Sequence, residues 1–164
     1  MSSDKVHLRK ADNHDLSLLA NLIRDSYSDV AERFGLTSEN CPKHPSNCTE
    51  GWIKKDFDRG VVYYILERNR TPIGCVALEI AGSDLCYLER LAVLPAYRRS
   101  GFGKMLVEHI FDQAKTSKIN RISIGIIADQ TELKSWYRKL GFIDGETKEF
   151  PHLPFLVTFM TYEF

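Results

Sequence analysis

The chain lacks any apolar run near the roughly 20 residues that a membrane-spanning helix needs, and its start, Met1-Ser2-Ser3-Asp4-Lys5, has no apolar signal core. A cytoplasmic protein with no membrane partner is therefore expected. Charge of one sign is missing as well. The 22 Lys and Arg balance 22 Asp and Glu, which gives no footing to a general nucleic-acid binder; any basic cluster is local. Cysteine is sparse, at four residues in 164, and in a cytoplasmic chain these read as reduced thiols. Internal repeats and low-complexity linkers are absent. No evident Ser-His-Asp arrangement or protease-like Cys-His pair supports a hydrolase. A composition of 43% hydrophobic and 27% charged residues argues against disorder. The length suits a single domain over 1–164 with a real core.

What the chain does hold is concentrated in Leu91-Ala92-Val93-Leu94-Pro95-Ala96-Tyr97-Arg98-Arg99-Ser100-Gly101-Phe102-Gly103-Lys104. This reads as an apolar strand, a turn, and a glycine-rich start to a helix. Phe102, Leu106, Ile110 and Ala114 then recur at helical spacing. A helix start carries unpaired N–H groups and about half a positive charge. Gly101 and Gly103 have no Cβ, so a ligand can come close to the backbone. Basic residues are unfavourable at that end of the dipole unless an anion joins them, so Arg98, Arg99 and Lys104 point to a phosphate socket. It is not a P-loop, because only one residue separates the glycines and no Ser/Thr follows Lys104. The third glycine of a dinucleotide fingerprint is replaced by Leu106.

Arg-x-x-Gly-x-Gly after Leu-Ala-Val-x-Pro resembles the acyl-CoA-binding motif of the GNAT superfamily of N-acetyltransferases. A second stretch agrees: Ser135-Trp136-Tyr137-Arg138-Lys139-Leu140-Gly141-Phe142 resembles the signature in which a helix ends in Tyr-x-x-x-Gly-Phe. The likeness covers most of the chain from about residue 61 onward, and the first half only in general layout. It implies an α/β (α+β type) fold with a mixed, mostly antiparallel sheet and helices on both faces. It also implies acetyl-CoA as co-substrate and an amine acceptor, either a small molecule or a peptide. Dimers are common in the family, so a homodimer stays open.

Around these motifs the pattern predicts a strand at 6–10 and a helix from about 13 to 33, capped by Asp12 with Asp15 and stopped by Gly35. A second helix is expected at about 47–59 with Asn47 and Glu50 as its capping pair. Strands follow at Val61–Glu67, Pro72–Ile80 and Asp84–Val93, joined by short turns into an antiparallel meander. Then come a helix at about 101–117, a strand at Arg121–Ile127, a helix at Thr131–Leu140, and a C-terminal strand clearest at Phe155–Tyr162. Cys75 and Cys86 fall within strands and read as small core hydrophobes. Residues 35–50 form a loop that holds Cys41, His44 and Cys48. Their spacing is not a zinc pattern, and a loop beside the acceptor pocket is the plainer reading.

Acetyl transfer to an amine needs a neutral amine, a held thioester, stabilisation of the developing oxyanion and a proton for the departing thiolate. The resemblance places the thioester arm beside the backbone of Leu91, Ala92 and Val93. It puts the pyrophosphate on Arg98, Arg99, Ser100, Gly101, Phe102, Gly103 and Lys104, and the general acid at Tyr137. The strand at 121–127 has no carboxylate, and the family's common Asn near the last helix is replaced by Asp129-Gln130. Gln130 is the substitute cofactor contact. Glu89 is the best remaining base; strand alternation sets it on the face of Leu91 and Val93, and Glu79 is second. His109 reads as a packing residue, and His7, His14 and His152 carry no motif. The alternatives are a non-catalytic CoA-binding module and a metal or thiol sensor built on the Cys41–Cys48 loop.

Overall fold

The structure is a computed structural model that describes residues 5–164; the opening Met1-Ser2-Ser3-Asp4 lies outside the described residues. Strand β1 (Val6–Lys10) leads to helices α1 (Leu16–Phe34) and α2 (Glu50–Asp58). The meander β2 (Val62–Arg68), β3 (Thr71–Ile80) and β4 (Leu85–Val93) follows. Helix α3 (Phe102–Thr116), β5 (Arg121–Ile127), α4 (Thr131–Lys139), β6 (Ile143–Lys148) and β7 (Val157–Glu163) complete the chain. The strands form one sheet in the order β1-β2-β3-β4-β5-β7-β6. Among the described residues only β4 and β5 pair in parallel.

The alternation read from the sequence is what sorts the two faces. Val76, Leu78, Leu88 and Ile122 meet Leu106, Val107, Ile110 and Ala114 of α3 on one side. Ile65, Cys75, Ala77 and Ala92 meet Leu19, Leu22 and Ile23 of α1 and Ile53 of α2 on the other. Cys75 and Cys86 are fully buried, as small hydrophobes should be. Truncating Leu106 or Ile110 to alanine would cost about 2–5 kcal/mol, because each is fully enclosed.

Three local differences from the sequence reading have physical causes. Asp12 and Asp15 form the reciprocal cap, but around a single 3-10 turn at Asn13–Asp15 before α1 begins. Thr49, not Asn47, caps α2, accepting from the Trp52 N–H; the Asn47 amide instead donates to the Cys41 carbonyl. Strand β6 was not anticipated: Ile-Asp-Gly-Glu-Thr-Lys is exposed along its whole length at the sheet edge, so it carries no alternation to read.

Two irregularities in β4 prepare the site. Its parallel ladder with β5 spans only Leu85–Tyr87 against Arg121–Ser123, and beyond that the strands separate. Against β3, Cys75 pairs Ala92 but Ala77 pairs Glu89, so β4 carries one extra residue there. Arg90 takes that position with φ of 50°, a left-handed conformation that costs a non-glycine residue about 1–2 kcal/mol. Its side chain is anchored in return: Nε lies 3.4 Å from buried Asp56, and the guanidinium sits over the Trp52 ring.

Candidate active site

The bulge changes the parity of β4. Glu89 shares a face with Ala92 on the α1/α2 side, whereas Leu91 and Val93 pack on the α3 side. The expectation that Glu89 lies on the face of Leu91 and Val93 is therefore overturned, because simple alternation cannot cross an extra residue.

The first cavity, of about 550 Å³, lies between α1, the end of β4, the start of α3 and α4. Leu91, Ala92, Val93, Arg98, Arg99, Gly101, Gly103, Lys104 and Gln130 all line it. Gly101 holds the N-cap position of α3 at φ 84° with no side-chain cap, so the first amides of α3 are left for a ligand. Gly103 has a second use: a Cβ there would stand 3.2 Å from the Trp136 ring, which packs over the helix start.

The three cations of the motif divide. Arg98 faces inward: Nε donates to the Val93 carbonyl at 3.1 Å, Nη1 meets Asp29 at 2.5 Å, and Nη2 donates to the Ser26 carbonyl. It ties the loop to α1, and its charge is already matched. Arg99 and Lys104 have no ion pair among the described residues and border the same cavity. Phe102 turns its side chain into the α3 core, and the Ser100 hydroxyl leans on the Arg98 carbonyl at 3.5 Å. These two lie outside the lining.

A second cavity of about 310 Å³ opens in the gap between β4 and β5 and reaches the 35–50 loop and the approach to β7. Glu89, Arg90, His44, Phe155 and Val157 border it. Tyr27, Leu91, Leu133, Gln130 and Tyr137 line both cavities. Tyr27 donates its hydroxyl to the Leu91 carbonyl at 2.6 Å and so holds the bulged strand at the junction. Sequence reasoning missed Tyr27, Asp29, Trp136 and Phe155, whose roles arise from contacts far apart in the chain.

Burial pushes the Glu89 carboxyl up to about 8, helped by a hydrogen bond and charge from Glu79 and opposed by Arg90. Glu79 in turn is ion-paired with Arg59, which also meets Asp56. Tyr137 is buried between Trp136 and Phe142, edge to face, and burial drives its phenol upward, so it stays protonated. His109 is away from both cavities, packed edge-on against Tyr64 at 4.4 Å. Cys41 and Cys48 are buried in two separate apolar clusters, and burial pushes both thiols up. Among the described residues no group of three His, Cys, Asp or Glu side chains is placed to hold a metal ion.

A cation-flanked, uncapped helix start facing a gap in the sheet defines a domain built to hold an extended anionic ligand. The chain belongs to the acetyltransferase (GNAT) family, which matches residues 19–142. The amino-acid acetyltransferase of Neisseria meningitidis is 32% identical over 90 residues, 54% of this chain but 20% of its own length. The chain thus spans about a fifth of the length of that relative. The fold matches the ribosomal-protein-S18-alanine N-acetyltransferase of Escherichia coli (TM-score 0.78, 15% identity, 97% and 94% of the two chains). It also matches PaiA N-acetyltransferase of Thermoplasma acidophilum in complex with coenzyme A (0.74, 20%, 98% and 99%). No described helix is long and apolar enough to cross a membrane.

Proposed function

We propose that this domain, read as a single unit over the whole chain, is an N-acetyltransferase that moves an acetyl group from acetyl-CoA to a primary amine by direct attack. The observation that carries the reading is the meeting of two unlike cavities at Leu91 and Tyr137, one cationic and one holding Glu89.

Acetyl-CoA supplies the activated thioester. The α3 amides at Gly101–Lys104, with Arg99 and Lys104, hold its pyrophosphate, and Arg98 holds the loop in place. The backbone of Leu91, Ala92 and Val93, freed from β5, offers strand hydrogen bonds to the extended arm, and Gln130 borders both ligands. Glu89 removes the proton from the amine, and Glu79, less deeply set, passes it toward solvent. Tyr137 delivers a proton to the departing sulfur. No side chain at the junction is an activated nucleophile, since the thiols are buried elsewhere, and this favours a ternary complex over a covalent intermediate. Four free, buried cysteines agree with a cytoplasmic setting.

The test is thiol release from acetyl-CoA in the presence of an amine panel. Tyr137→Phe should lower turnover about 10-fold or more while leaving CoA affinity nearly unchanged. Unchanged turnover would remove Tyr137 as the acid. CoA-dependent thermal stabilisation with no turnover on any amine would favour a non-catalytic CoA-binding module.

A further inference from the structure

The acceptor-side cavity has a composition that selects among amines. Its walls are apolar: Val30 of α1, Leu88 of β4, Ile126 of β5, Leu133 of α4 and Phe155 before β7. Its volume of about 310 Å³ is at the small end for ligand sites. Its charged or titratable side chains, apart from two tyrosines, are Glu89, Arg90 and His44.

Neither basic side chain offers a free positive charge to a carboxylate. Arg90 is committed to Asp56 and to the Trp52 face, on the α2 side of the sheet. His44 Nδ1 lies 2.7 Å from the Ser46 hydroxyl and accepts the Ser46 N–H; its ring meets Tyr27 edge-on, and burial keeps it neutral. Arg33 at the neighbouring rim is paired with Glu132, and Arg98 with Asp29. An acceptor carboxylate would therefore enter the cavity without an opposite charge to meet it, which is unfavourable. Glu89, the one carboxyl in the lining, can serve one amine nitrogen; a second cation on the acceptor would lie against hydrocarbon.

Building on the acetyltransferase reading above, we propose that the acceptor is a small primary amine with a single amine nitrogen on an otherwise apolar body, rather than an amino acid or a polyamine. The amine nitrogen lies by Glu89 and the apolar body lies against Leu133 and Phe155. This departs from the substrate named for the amino-acid acetyltransferase relatives, whose acceptor carries a carboxylate.

The decisive experiment uses matched pairs that differ by one carboxylate: isoamylamine against leucine, and phenethylamine against phenylalanine. Spermidine is a further arm. With the full chain and saturating acetyl-CoA, the decarboxylated member of each pair should show kcat/KM at least about 100-fold higher, since an unmatched buried charge is rejected far more strongly than a methylene. Phe155→Ala should lower kcat/KM for phenethylamine about 10-fold, mostly through KM, with KM for acetyl-CoA unchanged. Equal or better turnover of leucine, phenylalanine or spermidine overturns the inference while leaving the acetyltransferase reading intact. An unaffected Phe155→Ala overturns the placement of the apolar body. A protein that binds CoA yet releases no thiol with any arm overturns the acetyltransferase reading, and this inference with it.

Discussion

The two cavities that meet at Leu91 are lined in opposite ways. In the proposed reading the donor side draws its phosphate-binding groups from one continuous stretch, Leu91 to Lys104, with α1 and α4 as flanking walls, and works through backbone amides, a helix start and two unpaired cations. The acceptor side gathers short segments from α1, the 35–50 loop, β4, β5, α4 and the approach to β7, and is mostly hydrocarbon around one half-buried carboxyl. Phosphate is the same in every molecule of the co-substrate, so a fixed local device suffices for it. An amine's body varies, and shape-fitting walls can be changed one residue at a time without disturbing the helix start. The difference predicts that the chemistry and the cofactor affinity are separable by mutation.

The sharpest separation is at Glu89. Glu89→Gln keeps the shape of the side chain but cannot accept the amine proton. It should lower kcat about 10²–10³-fold while CoA affinity changes by less than about twofold, as measured by thiol release and by titration calorimetry. Equal losses in both would mean that the two cavities do not divide the work in this way. The same variant reports on stability. The Glu89 carboxyl is raised in the folded state from near 4.5 to about 8. Its contribution to stability is therefore full below about pH 4.5 and is lost as pH rises through about 8. Glu89→Gln removes that loss, so its Tm relative to the parent protein should improve by a few degrees between pH 5 and pH 9, read by thermal melts at both pH values.

The same contrast explains what the sequence allowed to be read. The Arg98–Lys104 socket and the Tyr137-x-x-x-Gly141-Phe142 helix end are local, and their spacing survives folding unchanged. The meander and α3 were legible because period-2 and period-3.6 patterns map directly onto buried faces. Three things were hidden. The face of Glu89 depends on one extra residue at Arg90, which only the pairing of β3 with β4 reveals. The inward commitment of Arg98 depends on Asp29, a partner 69 positions away. The acceptor walls combine Val30, Ile126 and Phe155, which no spacing connects. Strand β6 was invisible for a different reason: an exposed edge strand needs no apolar face.

A smaller effect is expected on the donor side. Replacing both Arg99 and Lys104 with alanine removes two unpaired charges from the socket but leaves the α3 amides in place. CoA affinity should fall about 10-fold at low salt, with kcat at saturating acetyl-CoA within about threefold of the parent. Because exposed charge attraction is screened, the deficit should shrink as salt is raised toward 1 M. A kcat loss that saturation does not repair would show that these cations also orient the thioester, and the division between binding and chemistry would be less clean. Arg98→Ala separates differently: it strips Asp29 and the Val93 carbonyl of their partner, so it should lower thermal stability as well as affinity.

The finest test concerns how the single carboxyl of the acceptor side is tuned. Burial is the main cause of the raised Glu89 value, and Glu79 adds to it by hydrogen bond and by charge. Glu89 must lose its proton before it can take another from the amine, so the parent kcat/KM should climb with pH through about 8. Glu79→Gln removes the neighbouring negative charge, so Glu89 ionises more readily and the acid limb should move down by up to about one unit. It should stay above the ordinary 4.5, because burial remains. Fold and CoA affinity should be unaffected, since Glu79 borders neither cavity. A limb that moves upward, or one that does not move while the neighbouring Arg59→Ala shifts it, would assign the tuning to Asp56 on α2 and Arg59 just past its end rather than to the paired carboxyls on β3 and β4.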